Sequence, residues 1–205
     1  MITVYHVSGT RGIRPIWLCE ELGLDYQIEK IEFSADFRTP QSYRDINPLG
    51  KVPAMHDDAP ENGLLMLESG AMVQYLLDRY GQGRLQPKPG TQAHAEYLQW
   101  SWFAEATFSR PLGEIVNHRR EFPGDKNIPS IMEEMSNRAL VSADVVAAQV
   151  AHQPFLIGEE FSAADIMMGY TLLLAERMLA KGLPANLHDY WERLKQRPAM
   201  QIATG

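Results

Sequence analysis

The chain has a single cysteine, Cys19, among 205 residues. That excludes an intrachain disulfide, a CxxC redox pair and a thiolate zinc site together. Basic residues are outnumbered, 19 Lys and Arg against 26 Asp and Glu, for a formal charge of −7. Clustered Lys and Arg are what bind a phosphate backbone, so no nucleic-acid partner is expected. No apolar run approaches the roughly 20 residues of a membrane-spanning helix, so no membrane partner is expected either. The histidines His6, His56, His94, His118, His152 and His188 are scattered, with no HxxxH pair. A Gly-rich phosphate loop is also missing, so neither metal nor nucleotide is implied. The opening Met-Ile-Thr-Val-Tyr-His lacks a basic region and reads as a strand, not an export signal. The expectation is a soluble, cytoplasmic protein.

What is present falls into two halves. In the first, residues 2–7 are β-rich and close on Ser8 and Gly9. Ile13, Ile16, Trp17 and Leu22 recur at helical spacing before Gly23. Residues 26–33 alternate as a strand, 37–44 read as a short irregular helical segment, and 52–56 and 64–67 read as strands. Ser69 opens a helix that stops at Gly81. The order β-α-β-α-β-β-α predicts a parallel opening pair and a closing hairpin. Residues 81–90 contain three glycines and two prolines, a linker composition. Everything beyond is helical in pattern: 91–118, 128–150, a nearly all-apolar 163–179, and 187–196. The predicted domains are 1–82 (α/β), a linker 83–90, and an all-α domain 91–205.

The strongest local signal is Asn47-Pro48-Leu49-Gly50-Lys51-Val52-Pro53, followed by Glu68-Ser69 at a helix start. A proline at a strand start either marks a plain edge or sits in a cis bond. A cis Val52–Pro53 bond would turn the Val52 backbone outward, where its N–H and C=O can pair with an extended peptide-like ligand. Ser69 reads as a helix cap, or as part of an anion pocket made with the first free N–H groups. An extended edge with an anion site beyond it suits a short peptide ending in a carboxylate.

With these motifs the chain resembles the glutathione transferase superfamily over essentially its whole length. The resemblance rests on Val4-Tyr5-His6, on residues 16–24, on Asn47-Pro48-Leu49-Gly50-Lys51-Val52-Pro53, on Glu68-Ser69 with Tyr75-Leu76, and on Phe161-Ser162-Ala163-Ala164-Asp165. It implies a thioredoxin-like α/β domain joined to an all-α domain, a homodimer, and glutathione as co-substrate. Carried over by position, it implies that Val52 and Pro53 present the backbone that pairs with the cysteinyl part of glutathione. Glu68 would hold its ammonium, Ser69 its γ-glutamyl carboxylate, and Lys51 would face its anionic groups. Arg38 would reach the glycyl carboxylate.

A free thiol near pKa 8.5 is only a few per cent thiolate at neutral pH. Lowering that pKa by about two units takes roughly 2.7 kcal/mol of thiolate stabilisation. Thr10, Tyr5 and Ser8 compete as the hydroxyl that supplies it. Thr10 stands where the resemblance places the hydroxyl of serine-type members, and Tyr5 where it places that of tyrosine-type members. Ser8 substitutes for either if the loop register differs. Arg11 would stabilise the thiolate, and Arg14 would face the same loop or a partner subunit. Thr10 is also open to a reading as the cap of the first helix, and Tyr5 as a core tyrosine.

Cys19, within the first helix, reads as a buried hydrophobe and not as a nucleophile. Trp102, Phe103, Ala106, Phe108 and His118 are the candidates for a pocket holding a small hydrophobic electrophile, and equally for core. Ser162 and Asp165 read as a capping box of purely structural use. The leading expectation is thiolate transfer to an electrophilic carbon, with peroxide reduction by the same thiolate as a possible companion activity. The alternatives are a non-catalytic binding or regulatory module on the same fold, and a glutathione-dependent isomerase.

Overall fold

The first strand, β1 (Ile2–His6), alternates buried and half-buried residues, with Ile2, Val4 and His6 facing inward. This computed structural model describes residues 1–34, 39–180 and 182–205. Helix α1 (Ile13–Leu22) follows, burying Ile13, Ile16, Trp17 and Leu18. It ends where Gly23 turns to φ 66°, a left-handed conformation that costs glycine little. Strand β2 (Tyr26–Lys30) pairs parallel with β1, as the βαβ order requires. After α2 (Gln41–Arg44), strands β3 (Ala54–Asp57) and β4 (Leu64–Leu67) form the antiparallel hairpin. Helix α3 (Ser69–Tyr80) closes the motif, and the sheet order is β2-β1-β3-β4.

The expected strands at 26–33 and 52–56 are displaced at their ends. Residues 31–33 run past the pairing, and β3 begins only at Ala54 because Pro53 has no N–H to give a ladder. Of the segment expected at 37–44, Phe37 and Arg38 lie outside the described residues.

The chain divides into two compact units, Met1–Arg84 with Gln196–Gly205, and Leu85–Lys195. The C-terminal helix, named α9 below, thus belongs to the α/β unit, whereas sequence patterning groups 196–205 with the helices. The helical unit contains α4 (Gln92–Trp102), a π-helical stretch Phe103–Phe108, α5 (Ser109–Glu121), α6 (Pro129–Val150), α7 (Ala163–Met178) and α8 (His188–Lys195). The pattern over 91–118 is therefore three pieces, not one helix. Where the helix widens, the Thr171 hydroxyl donates to the Ala104 carbonyl at 3.1 Å, satisfying backbone from outside the helix.

Helix α7 is buried along most of its length and starts with a capping box. Asp165 accepts from the Ser162 N–H (2.9 Å), the Ser162 hydroxyl (3.2 Å), the Leu156 N–H (3.0 Å) and the Tyr190 hydroxyl (2.8 Å). Burial pushes the Asp165 carboxyl up, against the pull of these donors. In the first unit, α9 (Pro198–Thr204) packs on α1. Arg197, just before it, grips Glu21, which also accepts from the Trp17 indole at 2.8 Å.

Candidate functional site

The pairing register places the site. It ends at Tyr5↔Ala54 between β1 and β3, and at Ala54↔Leu67 between β3 and β4. The next residues on all three strands therefore leave the sheet at the same end: the loop after His6, the Val52-Pro53 pair, and Glu68-Ser69. The candidates for thiol activation and for peptide binding converge there by topology alone.

The Val52–Pro53 bond is cis. Among the described residues, neither the N–H nor the C=O of half-buried Val52 has a hydrogen-bond partner. A free donor and acceptor side by side are what an added extended strand needs. The preceding turn is fixed by side chains. The Asn47 Oδ1 accepts from the Leu49 N–H at 3.1 Å, and the Lys51 carbonyl accepts from both Asn47 Nδ2 (2.6 Å) and the Tyr43 hydroxyl (2.7 Å). Gly50 sits at φ 63°, and a Cβ there would lie 2.8 Å from the Thr39 hydroxyl oxygen. Lys51 itself is exposed.

Among the described residues, Glu68 is one of three non-glycine residues with positive φ, at φ 71° and ψ 107°. Such a backbone costs on the order of 1–3 kcal/mol and persists only where its surroundings impose it. The side chain of Glu68 is exposed, and its carbonyl accepts the Met72 N–H to start α3. Ser69 is 4% exposed at the first turn of α3, where N–H groups lack helical partners. Its hydroxyl accepts from Nη1 of Arg14 at 3.1 Å. Arg14 has no exposed surface, and a guanidinium stays charged when buried. A buried guanidinium therefore stands beside Ser69, at the position where a carboxylate is expected. Arg14 is better placed than sequence alone suggested: it faces Ser69 within its own unit. The available signal was its position three and four residues before the buried Trp17 and Leu18 of the same helical face.

In the loop, Thr10 donates its hydroxyl to the Val7 carbonyl at 2.7 Å. It does not cap α1; Gly12 holds that position, without a side-chain cap bond. Arg11 is half-buried and Ser8 is exposed. Tyr5 is half-buried, on the sheet face opposite Val4 and His6, with its ring 6.0 Å from that of Tyr43. Arg38 lies outside the described residues.

In the helical unit, Trp102 is 66% exposed and Ala106 is exposed, while Phe103 is half-buried against Trp100. Phe108 is fully buried, and His118 is buried with its Nε2 accepting from the Ile128 N–H at 3.0 Å. Cys19 is fully buried, and burial with the nearby Glu20 and Asp57 charges pushes its thiol up to about 12. Among the described residues no group of three or more His, Cys, Asp or Glu is placed to hold a metal. No helix among them is long and apolar enough to cross a membrane.

These features define a thioredoxin-like sheet that presents a cis-proline edge beside a helix start whose Ser69 meets a buried arginine. The profile of the glutathione S-transferase N-terminal domain matches residues 1–78. Glutathione S-transferase 3 of Schizosaccharomyces pombe is 30% identical over 99% of this chain and 86% of its own length. A disulfide-bond oxidoreductase of Escherichia coli is 28% identical over 97% of this chain and 92% of its own. Among solved structures, a glutathione transferase from Phanerochaete chrysosporium determined with oxidized glutathione superposes with a TM-score of 0.85 at 24% identity. That likeness covers 98% of this chain and 92% of that one. The chain belongs to the glutathione S-transferase family.

Proposed function

We propose that the protein binds glutathione at the shared end of β1, β3 and α3 and transfers its thiolate to a small hydrophobic electrophile. The observation that carries this reading is the convergence there of three complementary elements: the unpaired Val52 backbone, Ser69 beside the buried Arg14, and the Thr10-Arg11 loop. Val52 would pair with the cysteinyl unit. Ser69 and the first N–H groups of α3 would hold the γ-glutamyl carboxylate, with Glu68 on the ammonium. Lys51 faces the ligand's anionic groups.

Thr10 is the proposed activator. Its O–H points at the Val7 carbonyl, and turning the hydrogen about the Cβ–Oγ1 bond frees it for a thiolate without moving a heavy atom. Arg11 adds positive charge beside it. The transfer then needs only proximity: the sulfur attacks the electrophilic carbon, a C–S bond forms, and the leaving group departs with its electron pair. Trp102, Phe103 and Ala106 remain the accessible candidates for contact with an apolar electrophile.

The E. coli oxidoreductase relative supports a second reading, in which the glutathione thiolate attacks a disulfide. One sulfur leaves as a thiolate, and a second glutathione resolves the mixed disulfide to oxidized glutathione. The buried Cys19 has no place in either route. Incubation with glutathione and chlorodinitrobenzene, followed by absorbance of the aryl thioether and release of chloride, tests the first reading. A hydroxyethyl disulfide substrate tests the second. Binding of glutathione with neither turnover would favour a non-catalytic module.

A further inference from the structure

His6 is the inward-facing residue at the end of β1, 8% exposed, directly before the loop that carries Thr10 and Arg11. Its carbonyl is tied to the Ile31 N–H at 2.8 Å, so the strand end is anchored. Its ring lies against Gly12, the last loop residue before α1: a Cβ added at Gly12 would stand 2.2 Å from the imidazole Nδ1 and 3.0 Å from Cγ. Gly12 has an ordinary helical φ of −61°, so its backbone does not demand glycine; the imidazole does. Nδ1 is buried and, among the described residues, has no hydrogen-bond partner. Nothing in simple packing requires a polar ring at such a site, because an apolar side chain would avoid the desolvation of that nitrogen.

We infer that His6 is a positioning residue for thiol activation: its imidazole is the floor under the loop and sets the height of Gly12, and through it of the Thr10 hydroxyl and Arg11. This rests on the glutathione reading above. Burial, with Lys30 across the strand pair, lowers the imidazole to about 4, so at neutral pH the floor carries no charge of its own. The local cation acting on the thiol is then left to Arg11 and to the start of α1. A loop that settles or tilts by a fraction of an ångström misdirects the one hydroxyl on which the thiolate depends, while the Val52 and Ser69 contacts go on binding glutathione.

The test is the pKa of the thiol of bound glutathione, read from thiolate absorbance across pH, in the unmodified protein, in His6→Asn, in Gly12→Ala and in the double variant His6→Ala with Gly12→Ala. Far-UV circular dichroism is recorded on each. The expected result is a bound-thiol pKa raised by about one unit in His6→Asn and Gly12→Ala, with rates below that pKa falling about tenfold and the KM for glutathione nearly unchanged. The double variant, which has no imidazole for the added methyl to meet, should recover part of the loss in Gly12→Ala. If His6→Asn does not fold, Gly12→Ala and the double variant give the same reading. A thiol pKa that stays at the unmodified value in the folded variants overturns the inference and leaves the glutathione reading intact. A missing shift in the unmodified protein overturns both.

Discussion

The Arg197 guanidinium closes on the Glu21 carboxylate through two parallel bonds, Nε to Oε1 at 2.6 Å and Nη2 to Oε2 at 2.7 Å, across 176 residues of sequence. Glu21 is largely buried, so this fork is not an ordinary surface pair. It fastens α9 to α1, whose N-terminal end opens onto the candidate site. Arg197→Ala should lower stability by about 2 kcal/mol, in the range of hydrogen bonds to charged groups. Urea unfolding followed by tryptophan fluorescence would read it as a lower midpoint. An unchanged midpoint would reduce the fork to decoration.

Ser69 and Arg14 predict a separation of binding from chemistry. Ser69→Ala removes a hydroxyl proposed to touch the ligand's carboxylate but not its sulfur. The KM for glutathione should rise about tenfold, as for loss of about 1.4 kcal/mol of binding, with kcat at saturation little changed. A fall in kcat at constant KM would place Ser69 nearer the reacting atoms than proposed.

Acid should destabilise the α/β unit for two reasons. Burial pushes the Asp57 carboxyl up, but donors outweigh it: the Tyr80 hydroxyl, the Ala59 N–H and the Tyr75 hydroxyl hold the carboxyl below its ordinary value. An acid depressed in the fold contributes stability above its unfolded pKa and loses it as pH falls. His6, lowered from 6.5 to about 4, resists taking up a proton that the unfolded chain accepts, so stability also declines as pH drops through that window. The unfolding midpoint should therefore fall between pH 6.5 and 4. In His6→Asn the slope in that window should flatten, while the loss at lower pH, carried by Asp57, persists.

Cys19 should be inert. Its thiol is fully buried and raised to about 12, so a coloured disulfide reagent should find no reactive thiol in the native protein and one after denaturation. Cys19→Ala should leave turnover with either glutathione substrate unchanged. A large loss would mean that a protein thiol takes part.

Much of the α/β unit is legible from sequence because its signals are local. Strand alternation and Gly23 after α1 each specify structure within a few residues, as Ser162 with Asp165 does in the helical unit. The family resemblance draws Val52, Pro53, Glu68 and Ser69 into one site, and the sheet register explains why they meet. Other features depend on partners distant in sequence. The π-helical stretch is supported by Thr171, which no periodicity over 91–118 reveals. The placement of α9 rests on Glu21 and Arg197. His6 reads in the sequence as one scattered histidine among six, and its contact with Gly12 exists only once the strand and helix have packed.

The central claim is that the hydroxyl of Thr10 lowers the thiol pKa of bound glutathione. The most direct measurement is a thiolate difference-absorbance titration of the glutathione complex across neutral pH, in the unmodified protein, Thr10→Ala and Tyr5→Phe. A thiolate should appear well below pH 8.5, the ordinary cysteine value, in the unmodified protein and in Tyr5→Phe, and be lost in Thr10→Ala. Loss in Tyr5→Phe with retention in Thr10→Ala would contradict the claim and move activation from the loop to the strand.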